Sequence, residues 1–212
     1  MTGGAHLVTF TIASLVESEE HLHAILNMSA LEVEDLVTLR DVVTVLQRAE
    51  MVRRIAEEIE GYVVELGLDG RLVELQLEEL TGGVLEDLRL VCKDYFVESP
   101  DWVLLQLTTR LSEITDDELL DLRYVGSLLH LSPDLDLDSA LQPRGFRLLS
   151  KIPRLPEAIA DHVVERFGTL PKIMRASLSD LTEVEGVGEA RARAIKDGLS
   201  RVAETSILDR YA

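Results

Sequence analysis

Cysteine is nearly absent from this sequence: Cys92 stands alone. A single cysteine forms no intramolecular disulfide, so packing alone has to hold the fold, and a reducing, cytoplasmic setting is expected. Cys92 itself is expected to be a small buried apolar residue. Aromatic residues are also scarce, at 4%, while Leu and Val lead a hydrophobic content of 46%. That is enough to bury a core and to exclude disorder of the whole chain. The mixture favours helices packed on helices, an all-α fold. No apolar run approaches the roughly 18–20 residues of a membrane span, so no membrane contact is expected. The opening MTGGAHLVTFTIASLVESEE lacks the basic stretch that starts a signal peptide.

Positive charge is in short supply: 21 Lys and Arg face 39 Asp and Glu, for a net charge of −18. Taken whole, such acidity argues against a polyanionic partner. The deficit is uneven, however. Residues 143–212 hold 12 basic and 10 acidic residues, and residues 1–142 hold 9 basic and 29 acidic. The last third can therefore tolerate a polyanion locally, and the shift suggests two modules. With so many acids, runs such as Asp116-Asp117-Glu118 arise by chance, and no catalytic acid or base is assigned. His21 and His23 lie two apart and would face different sides of a helix, so no metal site is expected there.

Along the chain, residues 1–28 stay unassigned, since HLVTFTIASLV suits a strand or an apolar helix. Ser29-Ala30-Leu31-Glu32 has the form of a capping box, with Met28 and Val33 placed as a hydrophobic staple. The pattern after it predicts a helix of about 30 residues, a spine with Leu36, Leu39, Val43, Leu46 and Ile55 on its apolar stripe and Gly61 as its stop. YVVELGLDGRLVELQLEEL fits either a hairpin or two helices broken near Gly67 and Gly70; two helices are preferred, ended by Gly82-Gly83. VLEDLRLVCKDYFV, LLQLTTRLSEI and DDELLDLRYVGSLLHL read as further helices, with a break at Ser99-Pro100. Trp102 is expected to pack. LSPDLDLDSALQPRG has little periodicity and reads as a linker. The expected organisation is an acidic helical domain over residues 29–132, a linker over 133–143 and a second domain over 144–212.

Ser177, with Asp180 three residues on, starts a short helix in SLSDLTEV. Glu185-Gly186-Val187-Gly188 follows, and then GEARARAIKDGLSRV, with Ala190, Ala194, Ile195 and Leu199 on or near one face. This is helix, tight hairpin, helix. Glycine permits backbone angles closed to other residues and leaves no side chain in the way of a ligand. Free N–H groups of Gly186, Val187 and Gly188 at a helix N-terminus form an anion site suited to one phosphate. Arg191, Arg193 and Lys196 add charge around it. A frame shifted by 32 residues repeats the pattern: Leu149, Ile152, Leu155, Ala160 and Val163 overlay Leu181, Val184, Val187, Ala192 and Ile195. The glycines become Arg154 and Pro156. Pro156 suits a first helical turn, and Arg154 can reach a phosphate by side chain, with Lys151 and Leu155 beside it. Gly168 then ends a helix, and His162 is expected at the surface. Two such hairpins would grip the nucleic-acid backbone across a minor groove without reading sequence.

These residues resemble helix-hairpin-helix DNA-binding domains. RGFRLLSKIPRLPEAIADHVVERFGTLPKIMRASLSDLTEVEGVGEARARAIKDGLSRV resembles more narrowly the C-terminal domain, related to the second domain of RuvA, of the bacterial DNA integrity scanning (DisA) family. LEVEDLVTLRDVVTVLQRAEMVRRIAEEIEGYVVELGLDGRLVELQLEEL resembles that family's central helical linker domain. The resemblance covers roughly residues 29–212. It implies a part in sensing damaged or branched DNA, and DNA repair as the setting. It also implies an N-terminal diadenylate cyclase domain that makes cyclic di-AMP from two ATP with a divalent metal and assembles an octamer. The cyclase's Asp-Gly-Ala and Arg-His-Arg motifs are absent, and the nearest text, Asp69-Gly70-Arg71, lies inside the linker match. The chain is therefore expected to be non-enzymatic and without a cofactor, as a fragment, a split gene product or a shortened relative. Its expected partner is DNA, with self-association or a cyclase in trans as further partners. An interaction scaffold built on the acidic helices is the competing expectation.

Overall fold

The computed structural model describes residues 37–66, 70–96, 100–128 and 136–210. Strand β1 (Val37–Thr38) leads into the long helix α1 (Leu39–Leu66), followed by α2 (Gly70–Thr81), α3 (Val84–Tyr95), α4 (Pro100–Glu113), α5 (Asp116–Leu120) and α6 (Leu122–Ser127). Strand β2 (Ala140–Leu141) precedes α7 (Phe146–Ser150), α8 (Glu157–Phe167), α9 (Leu170–Arg175), α10 (Leu178–Thr182) and α11 (Glu189–Arg210). The fold is all-α. Its sheet among the described residues is a two-residue antiparallel ladder, Val37 opposite Leu141 and Thr38 opposite Ala140. No described helix is long and apolar enough to cross a membrane.

Two compact units interleave along the chain. One holds Arg40–Leu88 with Leu105–Leu137; the other holds Arg89–Leu104 with Asp138–Ala212 and the segment that ends at Leu39. In space the division differs from a single cut at 133–143. Residues 140–141 pair with β1, and Ser139 O accepts from Leu39 N–H at 2.9 Å.

In the first unit α1 is the spine. Val42, Val43, Val45, Leu46, Ala49, Val52, Ala56 and Ile59 are buried, at the three- and four-residue spacing of one broad helical face. Val52, Ala56 and Ile59 close on Leu77 of α2, with Ile55, Val73 and Val84 at the margin. The helix begins at Leu39, later than its periodicity suggests, because β-branched Val37 and Thr38 join the ladder instead. Gly61 does not stop it. A glycine ends a helix by turning left-handed, and Gly61 is not among the positive-φ glycines, so the helix runs on to Leu66. The Ser29 capping box and its staple, the first 28 residues and the side chain of Trp102 lie outside the described residues. Separate helices α1 and α2 bear out the preferred form of the Gly67–Gly70 region. The predicted helix from Asp116 is split in two. Asp121 accepts from the N–H groups of Arg123 and Tyr124, capping α6 and interrupting the ladder. Arg54 fastens α1 to its neighbours, donating to Leu111 O at 2.8 Å, Ile114 O at 2.7 Å and Asp116 at 2.5 Å.

The second unit is organised around one carboxylate. Asp94, 2% exposed, accepts from the N–H groups of Gly145 and Phe146 at 2.7 Å each and of Arg147 at 3.3 Å. It also accepts from Arg147 Nε at 2.9 Å, while the same guanidinium donates to Tyr95 Oη at 2.8 Å. Helix α7 starts at Gly145, φ 115°, with no side chain of its own to cap it, so the last turn of α3 supplies the cap. Lys93 Nζ, one residue earlier, lies 4.4 Å from the centre of the Phe146 ring and donates to Glu157 at 2.9 Å and Asp161 at 2.6 Å. Arg89 joins Glu157 at 2.6 Å. Cys92 is fully buried, as expected of a structural thiol.

Two outcomes follow from this docking. Asp94→Ala leaves Arg147 and three helix-start donors without an acceptor, and urea unfolding should show a loss of about 3–5 kcal/mol; a loss below about 1 kcal/mol would show that α3 does not hold the unit. Hydrogen bonds from Lys93 and then Arg89 hold the Glu157 carboxyl below its ordinary range. A depressed folded-state value stabilises above the unfolded value and is lost as pH falls through the folded one. The urea midpoint should therefore drop on acidification through the carboxylate range, and Glu157→Gln should flatten that part of the profile.

Candidate nucleic-acid interface

Each residue of the sequence repeat takes an equivalent place. Leu149 and Leu181, Ile152 and Val184, Ala160 and Ala192, Val163 and Ile195 are all buried in one core; Leu155 is partly buried against it and Val187 is 4% exposed. The hydrogen bonds repeat too. Ile152 N–H donates to Leu149 O and Val184 N–H to Leu181 O, both at 3.1 Å; Leu155 N–H donates to Ile152 O at 3.2 Å and Val187 N–H to Val184 O at 3.0 Å. Ala160 N–H on Pro156 O and Ala192 N–H on Gly188 O, at 3.2 and 2.9 Å, open the second helix of each copy. At the tips the backbone turns left-handed at the same place, Arg154 with φ 63° and Gly186 with φ 77°.

The two glycines of the second hairpin do different work. Gly186 serves the fold: its φ is positive, and a Cβ there would lie 2.6 Å from Ile159 Cδ1, so the Ile159 side chain would have to shift. Gly188 is exposed, and a Cβ on it would meet nothing within 4 Å, so its surface is open to a ligand. One of the three predicted donors is spent inside the turn. Val187 N–H is taken by Val184 O and its side chain is buried. The N–H groups of Gly188, Glu189 and Ala190 find no acceptor among the described residues, as the first turn of a helix requires. The tip thus keeps a small set of donors at the positive end of α11. In the first copy Pro156 occupies the corresponding place and has no N–H.

The basic residues separate. Arg191 stays at the tip, where it donates to Gly186 O at 2.6 Å. Arg154 and Lys151 are exposed at the first hairpin, Lys151 as the C-cap of α7. Lys196 turns away: its Nζ donates to Met174 O at 2.8 Å, tying α11 to the last turn of α9, where a cation is favoured. Arg193 faces α10 and pairs with Glu189 at 3.1 Å. Glu157 and Glu189 begin the second helix of each copy, where a carboxylate suits the helix dipole but opposes a phosphate. Lys93 and Arg89 offset the first of these charges, and Arg193 the second.

Two contributors escape the sequence pattern. Ile159 of α8 supports Gly186, and His162, one turn on, is half-buried with Nδ1 3.1 Å from Glu185 O. Their spacing places both on one face of a helix, but nothing local shows that this face meets the other hairpin. On α11 the buried alanine is Ala192 and Ala190 is exposed; two residues apart, they point to nearly opposite sides of the helix. Gly168, φ 80°, ends α8 as predicted, and Ser177 with Asp180 forms a complete capping box on α10. Among the described residues no group of three or more His, Cys, Asp and Glu could hold a metal ion.

Arg154 has a left-handed backbone that costs a residue with a Cβ about 1–2 kcal/mol. Arg154→Gly should raise stability by up to about 1 kcal/mol after the entropy of an unfolded glycine. Gly186→Ala should lower it and Gly188→Ala should leave it nearly unchanged; thermal melts of the three variants decide the matter, and equal effects at 186 and 188 would contradict the division between them.

Comparison with known proteins follows the same division. Residues 11–137 match the family described as the DisA bacterial checkpoint controller linker region, and residues 146–201 match the SAM-like helix-hairpin-helix tandem. The DNA integrity scanning protein DisA of Kineococcus radiotolerans is 55% identical over 186 residues, 87% of this chain and 52% of that protein. The proteins of the same name from Frankia alni and Streptomyces avermitilis are 53% identical over 186 residues and 56% over 189, again 87% of this chain, and 52% and 50% of theirs. The chain spans about half the length of the relatives it matches. With a linker-region match over more than half of its length and the hairpin tandem directly behind it, the chain belongs to the DisA family.

Proposed function

We propose that this chain is the non-catalytic, DNA-contacting part of a DisA-type DNA integrity scanning protein, working in the cytoplasm. It binds the phosphate backbone without reading bases and favours branched or damaged DNA. The observation that carries the proposal is the repeated hairpin: two copies share their core positions, their turn hydrogen bonds and a left-handed residue at the tip. In the second, open N–H groups stand at the start of α11 beside Arg191. Such contacts position a duplex and carry no sequence information. Two tips at fixed separation select the spacing and angle of the backbones they hold, and a junction or a distorted duplex differs from linear DNA in both.

Arg191, Gly188, Arg154 and Lys151 are assigned to the phosphate contacts, with the main chain at Glu189 and Ala190. Val187 and Leu155 shape the tips from within. Lys196 and Arg193 act indirectly, one by seating α11 and the other by offsetting Glu189. Synthesis of cyclic di-AMP is assigned to a cyclase domain other than the matched regions, for which DNA held by this chain is the regulatory signal.

The test is a salt titration of the full chain against a linear duplex and a four-way junction of equal length. Affinity should fall steeply with salt, with the junction bound more tightly at each concentration. Arg191→Ala should weaken both complexes alike and lower the salt slope by about one. A bulky residue at Gly188 should remove tight binding while the melting temperature stays. No binding at low salt, or a change confined to one base sequence, would overturn the proposal.

A further inference from the structure

The two copies of the repeat are supplied with positive charge in different ways. Shifted by 32 residues, Arg191 falls on Ile159. Ile159 is buried beneath Gly186, so α8 has no guanidinium at the position from which α11 offers one to its tip. The first two turns of α8 carry acids instead, Glu157 and Asp161, where α11 has Glu189 and Arg193. On its own residues, α8 is the poorer partner for a phosphate.

Helix α3 changes that balance. It lies in the groove between α7 and α8, with Leu90 in the shared core, whereas the matching groove between α10 and α11, lined by Leu178 and Arg193, is open. From this position Lys93 and Arg89, one turn apart, both donate to Oε1 of Glu157, at 2.9 and 2.6 Å. The two cations are not equivalent. Lys93 also donates to Asp161 at 2.6 Å and lies over the Phe146 ring, and its side chain is 11% exposed. Packing holds it in place. The Arg89 side chain is 24% exposed and its partner Glu157 is 54% exposed. An ion pair so open to water contributes little, so its exchange costs little. A guanidinium also presents its donors as a planar fork that suits a phosphate as well as a carboxylate.

We propose that Arg89 is a DNA-binding residue, supplying to the first hairpin the guanidinium that Arg191 supplies to the second by passing from Glu157 to a backbone phosphate. Lys93 stays on Glu157 and keeps its charge offset during the exchange. This assignment rests on the proposed DNA binding and extends it. The contact surface then includes α3, which lies within the linker-region match and outside the hairpin match. The first hairpin holds the backbone through Lys151, Arg154 and Arg89, and the second through main-chain donors and Arg191.

Salt titration of the full chain on a linear duplex tests this, with thermal melts to confirm that each variant folds. Arg89→Ala should weaken binding about three- to tenfold near 0.1 M salt and lower the salt slope by about one. Arg89→Lys should keep the slope. Glu157→Gln should strengthen binding about threefold or more, because it removes a carboxylate that opposes the phosphate. Adding Arg89→Ala to Glu157→Gln removes both partners of the pair, and it should again lower the slope by about one. Neutralisation of Glu157 alone would not produce that loss. Arg123→Ala, at an exposed arginine of α6 in the other unit, should leave affinity and slope unchanged. An unchanged slope in Arg89→Ala, a slope loss that disappears beside Glu157→Gln, or an equal loss from Arg123→Ala would overturn the assignment. If Arg191→Ala lowers the slope and Arg89→Ala does not, DNA binding by the hairpins stands and the role of Arg89 falls. A chain that fails to bind at low salt removes both.

Discussion

The Asp94 carboxylate is the constraint on which the second unit depends. It is almost wholly buried, and a charge in that position is tolerated only with its donors in place. Three main-chain N–H groups and Arg147 provide them. The bond set orients α7, α7 places Leu148, Leu149 and Ile152 in the core, and Ile152 sets the first hairpin. Gly198 then lets α11 pass close by, since a Cβ there would lie 2.8 Å from Ile152. A residue some fifty positions upstream is thereby part of the hairpin unit.

The pairing also explains why two similar hairpins came to differ. The first is capped, covered and neutralised by α3, so its tip can carry Arg154 at a strained φ and Pro156 at the start of α8. The second caps itself with Ser177 and Asp180 and leaves its outer groove open. It keeps glycine at both tip positions, one for packing against Ile159 and one for open space. The more accessible main-chain donors lie on the second copy, and the first exposes the side chains of Arg154 and Lys151.

Much of this was legible in the residues. The helices, the hairpin at Gly186, the capping box at Ser177, the stop at Gly168 and the 32-residue repeat rest on interactions within a few positions of one another. Such interactions leave a period, a cap or a glycine in the text. The resemblance to the DisA family rested on the same stretches, and the family matches agree with it. Basic residues near the tip were equally visible, but not their assignments. Arg191, Arg193 and Lys196 occupy three sides of one helix, and only the neighbours on each side decide which faces the tip, which faces Glu189 and which seats α9.

By itself, then, the sequence determined an all-α chain with a tandem hairpin near its end, because helix periodicity and turn chemistry are local. The tertiary structure alone decided that α3 belongs with the hairpins, that β2 lies against β1 rather than in a free linker, and that Val187 spends its N–H inside the turn. It also decided that one groove of the repeat is filled and the other open. Each of these depends on which distant donor meets which acceptor, and that choice is made by packing over tens of residues.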